Sequence, residues 1–292
     1  MNELALIRAI RRHAGAPPSK GVLLGIGDDC AILRPPRGCD LLVTTDFLIE
    51  DLHFVRARQT GAEIGWKALA RGLSDIAAMG GEPQAAFFSL AAAPWVCGHF
   101  IADFYKGARK LAEQFQVSIA GGDLSVAPKL VCDVTVVGAV PRGKALRRSG
   151  ARPGDIIAVS GPLGRAAAAN YIERPGPMPR FDAGRALRKA GATACMDLSD
   201  GLAMDLHRLA LESGVSARLD GVLPSAPGAT LDHALFGGED YELLATLPSS
   251  ARLPAGFTRI GEIVKGKPGK VTFGGAPLRP AGWDPLKSKM PS

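Results

Sequence analysis

Seven aspartates stand in short, recurrent contexts: Asp28 and Asp29 in "GIGDDC", Asp46 in "TTDFLIED", Asp75 in "LSDIAAMGG", Asp123 in "AGGD", and Asp197 and Asp200 in "MDLSDG". Each is read at or near the end of an element or at a glycine turn, where a side chain can face a cleft. A single aspartate in such a place has an ordinary use as a turn former or helix cap, accepting a local backbone N–H. The set has another reading. Hard divalent cations take oxygen ligands and share them with substrate phosphates, so aspartates converging from several elements suit a metal-assisted phosphate site. The adjacent Asp28 and Asp29 repel one another, and a bound cation would relieve that repulsion by favouring both ionised forms.

Other phosphate and acyl-transfer chemistries lack their motifs. "GEIVKGKP" (261–268) ends in Pro268 where a P-loop needs a hydroxyl, so it reads as a turn. There is no complete G-x-G-x-x-G between strand and helix, no kinase H-R-D or D-F-G, no G-x-S-x-G elbow and no H-E-x-x-H. The five cysteines are scattered, with no C-x-x-C pair, and read as buried thiols.

The elements that must position these acids alternate. "CDLLVTTD" (39–46), "FQVSIAGGD" (115–123) and "LVCDVTVVGAV" (130–140) have strand character, and 62–81 and 98–115 have helical spacing. Gly, Pro and Arg gather around "SGARPGD" (149–155), and a second series follows: a strand and helix start in "DIIAVSGPLGRAAAA", then "ACMDLSDGLAMDLHRLALESG" and "YELLATLP". The 292 residues therefore read as two α/β domains, 1–148 and 149–292. Residues 1–15 read as an amphipathic helix without a signal peptide's apolar stretch. The longest apolar run, "AAFFSLAAAPWVC", is too short to span a bilayer, so a cytoplasmic protein is expected. The net charge of +7 suits a phosphate-rich small ligand. Nucleic acid fits less well, because only "RGKALRRSGAR" (142–152) gathers basic residues and aromatic residues are 6% of the chain.

Eight blocks in order, "GIGDDCAIL", "TTDFLIEDLHF", "GWKALARGLSDIAAMGGEP", "IAGGDLS", "LRRSGARPGD", "VSGPLG", "MDLSDGLAMDL" and "GGEDYELL", resemble the thiamine-monophosphate kinases of the aminoimidazole ribonucleotide synthetase-like ATP-binding superfamily. The resemblance spans nearly the whole chain. It implies a mixed α/β, two-domain fold of that type, dimerising through its N-terminal sheet, and ATP-dependent phosphorylation of thiamine phosphate to thiamine diphosphate. It further implies that Asp28, Asp46, Asp75, Asp123 and Asp197 hold several Mg²⁺ ions, with Thr44, Thr45 and Asp200 adding ligands. Gly122 and Ser199 would approach the nucleotide phosphates, Arg148 would pair with them and Tyr105 would contact ATP. His53, Glu239 and Trp283 match the thiamine phosphate end. No residue is implied as nucleophile or acid–base catalyst, since the acceptor phosphate is already ionised near neutral pH.

Several of these residues have a plainer use open to them. His53 beside Phe54 could be a half-buried loop histidine, Trp283 a plug of the C-terminal core, Tyr105 part of an apolar helix face, and Arg148 one of a solvated basic cluster. The chain also departs from the family pattern. The stretch between "VSGPLGRAAAANYIE" and "MDLSDG" is shorter, and Arg208 stands where the family usually has histidine. Rival readings are another acceptor within the superfamily or a non-catalytic basic nucleotide-binding module, since fold alone does not fix substrate.

Overall fold

The computed structural model describes residues 10, 12–13, 21–24, 26, 30–172 and 176–284. The expected acidic pair Asp28 and Asp29, and most of the expected N-terminal helix, lie outside the described residues.

A short hairpin, β1 (Val22–Leu24) and β2 (Ile32–Leu33), precedes a four-stranded sheet ordered β3 (Cys39–Ile49), β6 (Val131–Pro141), β4 (Glu82–Ala92), β5 (Ser118–Val126). Only the β4–β5 pair is parallel. Strand β4 had no counterpart among the expected strands. "EPQAAFFSLAA" is apolar enough to read as a buried run, and only pairing with β5 and β6 makes it a strand. Helices α1 (Gly61–Ala78) and α2 (Gly98–Gln114) cover one face of the sheet. Thr60 and Glu63 form a capping box that starts α1, satisfying its first orphan donors. The two helices cross where each presents a glycine. A Cβ on Gly65 would lie 1.9 Å from the Phe104 carbonyl oxygen, and one on Gly107 would lie 1.8 Å from that of Ala62.

The second sheet is seven-stranded, in the order β13 (Ala276–Leu278), β12 (Val271–Phe273), β9 (Ser216–Leu219), β11 (Thr258–Val264), β7 (Ile156–Val159), β10 (Leu243–Leu247), β8 (Ala194–Asp197). Around it lie α3 (Arg165–Ala168), α4 (Phe181–Ala190), α5 (Leu202–Glu212) and α6 (Leu231–Phe236). Each sheet builds its own main core. Helices α1 and α4 both join them, Ala78 of α1 packing with Ala158, Leu243 and Ala245 of the second sheet. Phe181 of α4 is buried in the first core, 4.9 Å from the Phe115 ring, and a Cβ on Gly184 would lie 2.0 Å from the Ala77 carbonyl oxygen of α1.

The cysteines are not uniformly buried thiols: Cys132 and Cys195 are buried, Cys39 is partly so, and Cys30 and Cys97 are exposed. Among the described residues no helix is long and apolar enough to cross a membrane.

Candidate active site

Strand β3 shows how alternation sets the site. Leu42, Thr44, Asp46 and Leu48 point to the helix-covered face, while Leu41, Val43, Thr45 and Phe47 point the other way. Asp46 therefore sits within the strand rather than at its end, because β3 continues for three residues past it. Asp75 likewise lies inside α1 and Asp123 inside β5. Among the described residues Asp197, the last residue of β8, and Asp200, just before α5, sit at element ends, and Asp75, in the last turn of α1, sits near one, as expected.

Helix α1 organises the contacts. Lys67, Arg71, Ser74 and Asp75 fall at i, i+4, i+7 and i+8, which is one helical face. Thr44 Oγ1 donates to Asp75 Oδ2 at 2.5 Å, and Ser74 Oγ donates to Asp197 Oδ2 at 2.6 Å, joining the two sheets. Arg71 Nη2 donates to Asp46 Oδ1 at 2.6 Å and its Nη1 to Glu239 Oε1 at 3.4 Å. Lys67, only 5% exposed, donates to Glu239 Oε2 and to the His53 carbonyl oxygen, both at 2.6 Å.

The loop carrying Glu239 is zipped onto the "LSD" turn. Glu239 N–H donates to the Ser199 carbonyl at 2.8 Å and Tyr241 N–H to that of Leu198 at 2.9 Å. Both Glu239 (φ 64°) and Tyr241 (φ 51°) hold left-handed backbone, a strain such sites often store. Trp283 is tied to the same turn by its N–H, 3.0 Å from the Asp200 carbonyl oxygen, and its ring centroid lies 6.3 Å from that of His53. Gly282 permits this, since a Cβ there would stand 2.1 Å from the Asp200 carbonyl oxygen.

These residues wall a cleft of about 900 Å³. Its lining includes Thr45, Asp46, Asp75, Asp197, Ser199 and Asp200, together with His53, Glu239 and Trp283. Trp283 is thus a cleft wall rather than a core plug. Thr44 meets the site through Asp75. Arg148 is exposed, yet its charge reaches Asp75, Asp197 and Asp205.

Tyr105 and Gly122 do not line this cleft. Tyr105 is 2% exposed and packs its ring against Phe88 and Phe104, because it shares the apolar face of α2 with Ile101, Ala108 and Leu111. Its ring belongs to the first core and does not line the cleft. Gly122 and Asp123 are exposed on β5 and do not line the cleft. The register sets Asp123 in a row with Ser89, Asp133 and Phe47, on the sheet face opposite Asp46.

Sequence reasoning missed Lys67, Arg71, Ser74, Asp205 and Arg208. The first three carried a usable signal, as polar residues spaced on Asp75's face of an otherwise apolar helix. Asp205 is buried in α5, accepts the Asp200 N–H at 3.0 Å and pairs with Arg208, which also holds the Asp200 carboxylate. Arg208 thereby fills the position where the family pattern has histidine. His207 points away, its Nδ1 2.7 Å from the Gly269 carbonyl oxygen.

The acids share one electrostatic field. Burial, then the charge of Asp75, raises Asp197 well above the usual carboxylate range, the Ser74 hydrogen bond offsetting part of it. Burial and Asp46 raise Asp75 against the Thr44 hydrogen bond. Burial and the neighbouring Asp200 push Asp205 up to about 7. Crowded carboxylates that resist ionisation are what a divalent cation would stabilise. Among the described residues no three potential ligands close into a ready-made metal cage. Mg²⁺ keeps several waters and takes substrate phosphates as ligands, so it does not need a full protein cage, and Asp46, Asp75, Asp197 and Asp200 on the cleft wall are oxygen donors of the type it takes.

Residues 27–140 match the family model for the N-terminal domain of AIR synthase related proteins. A thiamine-monophosphate kinase of Methanospirillum hungatei is 38% identical over 269 residues, covering 88% of this chain and 92% of the relative. The chain belongs to the thiamine-monophosphate kinase family. The thiamine-monophosphate kinase of Bacillus subtilis is 36% identical, with 85% and 84% of the two chains covered. Among solved structures, the thiamine-monophosphate kinase of Stenotrophomonas maltophilia superposes with a TM-score of 0.80 at 35% identity, covering 94% of this chain and 98% of that one. AaThiL complexed with AMPPCP and TMP gives 0.79 at 32% identity, covering 96% of each chain. Hydrogenase maturation protein HypE, at 19% identity and a TM-score of 0.78, shares the fold. The mixed α/β architecture of the thiamine-monophosphate kinases is thus the architecture of this chain.

Proposed function

We propose that this chain transfers the γ-phosphoryl group of ATP to thiamine phosphate, giving thiamine diphosphate and ADP, by direct in-line displacement at an aspartate site loaded with several Mg²⁺ ions. The observation that carries this reading is one cleft holding Asp46, Asp75, Asp197 and Asp200 together with His53, Glu239 and Trp283. Kinship to a kinase whose structure holds AMPPCP and TMP supports it.

Asp46, Asp75, Asp197 and Asp200 are the proposed ligands, with Asp28, Thr44, Thr45 and Asp123 as further ones. When bound, the ions neutralise charge on the nucleotide phosphates and on the oxygens of the transferring group. Ser199, Gly122 and Arg148 are proposed to hold the nucleotide phosphates. The Trp283 face suits a cationic thiazolium, and the neutral His53 ring and Glu239 complete that end. The acceptor's terminal oxygen forms the new P–O bond as the bond to the ADP oxygen breaks. That oxygen is already anionic, so no general base is needed and the protein contributes alignment. We further propose a cytoplasmic homodimer of two-domain chains, divided near residue 148.

Purified protein with ATP, Mg²⁺ and thiamine phosphate should release thiamine diphosphate and ADP one to one, read by chromatography, and should not use free thiamine as acceptor. Asp75→Asn and Asp197→Asn should each lower turnover by about 100-fold or more. Absence of product, or a stoichiometric phosphoenzyme after ATP alone, would overturn the reading.

A further inference from the structure

The feature left over by that reading is Arg71. Its guanidinium lines the cleft and pairs with both Asp46 and Glu239. Its five donors are under-used: Nη2 makes a close contact with Asp46, Nη1 a long one with Glu239, and the buried Nε has no hydrogen-bond partner among the described residues. Glu239 does not depend on it, because Lys67 already holds the other oxygen of that carboxylate at 2.6 Å. Asp46 therefore has Arg71 as its close cationic partner, on a carboxylate proposed as a ligand of a divalent ion.

Guanidinium and dication on one carboxylate repel each other, so loading the metal weakens the Arg71–Asp46 pair. With Asp46 read as a metal ligand and Glu239 as part of the thiamine phosphate end, a planar fork freed between those two carboxylates stands where the acceptor's phosphate would join them. Arginine matches phosphate oxygens two at a time, and lysine does not. We propose that Arg71 is a resident counter-cation that holds Asp46 until a divalent ion takes that carboxylate, and that the released guanidinium, still tethered to Glu239, binds the phosphate monoester of the acceptor. The inference rests on the reading of Asp46 as a metal ligand.

The test separates the two. Free Mn²⁺ is followed by electron paramagnetic resonance during titration into the full chain with AMPPCP present, for the wild type, Arg71→Met, Asp46→Asn and Arg58→Gln. Arg58 lines the same cleft and controls for loss of charge alone. We expect Arg71→Met to tighten Mn²⁺ binding by about 10-fold, Asp46→Asn to weaken it, and Arg58→Gln to change it by less than about twofold. Calorimetry in AMPPCP and Mg²⁺ should show thiamine phosphate binding about 10-fold weaker in Arg71→Met, with free thiamine unaffected. Arg71→Lys keeps the charge without the fork. It should lose thiamine phosphate affinity while leaving Mn²⁺ affinity near the wild type, and it decides the question if the Met variant does not fold. Unchanged Mn²⁺ affinity in Arg71→Met, an equal gain in Arg58→Gln, or full thiamine phosphate affinity in Arg71→Lys would overturn the exchange. An Asp46→Asn variant with wild-type Mn²⁺ binding would instead remove the metal reading of Asp46 on which the exchange stands.

Discussion

His53 has a single useful protonation state. Burial first, then the charges of Arg71 and Lys67, lower its pKa to about 3, and its Nδ1 accepts the Ile49 N–H at 3.0 Å, which only an unprotonated nitrogen can do. The ring facing Trp283 is therefore neutral at physiological pH and adds no positive charge beside a cationic thiazolium. The sign of the stability effect follows from a depressed pKa. Below about 6.5 the unfolded chain binds a proton that the folded chain refuses, so this contribution is present above that pH and is lost as pH falls toward the folded value. Urea midpoints measured between about pH 7 and 4 should fall less steeply for His53→Gln than for the wild type. Equal slopes would show that the ring titrates normally in the folded state.

At the scale of elements, α1 carries most of the argument. Its face of Lys67, Arg71, Ser74 and Asp75 reaches Glu239, Asp46, Asp197 and Thr44 in turn, so one rigid helix fixes side chains from both sheets. Its seat against α2 depends on backbone contact at Gly65 and Gly107. A methyl group at Gly65 cannot be met by a rotamer change, because the atom in the way is the Phe104 carbonyl oxygen. Gly65→Ala should cost about 1–3 kcal/mol in urea unfolding. It should also lower turnover of the remaining folded enzyme, since the polar face shifts with the helix. A stable variant with full activity would show that the crossing tolerates separation.

For the whole molecule, the four-stranded sheet leaves apolar surface on the face away from α1 and α2, where among the described residues the β1–β2 hairpin packs only on β4 and β5. Leu41, Val43 and Phe47 are 50%, 64% and 55% exposed along β3. Three large apolar residues on one strand face ask for a cover, and the family resemblance implies a second copy there. Val43→Glu combined with Phe47→Glu should shift sedimentation from dimer to monomer, each introducing a charge that a buried face would not tolerate. A wild-type chain that already sediments as a monomer would sink the idea. Asp123 lies on this same outward face, so in a dimer of that kind it would face the neighbouring subunit.

Local sequence determined much of this protein. Alternating β-branched runs set β3, β5 and β6, the Thr60–Glu63 box started α1, and a glycine-bounded "LSDG" turn placed Asp197 and Asp200 before α5, because each depends on neighbours a few residues away. The eight ordered blocks pointed to the family for the same reason, being contiguous in the chain. Tertiary structure alone decided the remainder. Whether an apolar run is strand or buried helix, as for β4, depends on partners far along the chain. Tyr105 was drawn into the core and Asp123 onto the opposite sheet face by strand parity and helix packing that no motif encodes. The pairing of Arg71 with Asp46 and Glu239, across 25 and 168 positions of sequence, exists only once α1 lies between the two sheets. A buried charge is assigned its partner by that folding, and not by the residues beside it in the chain.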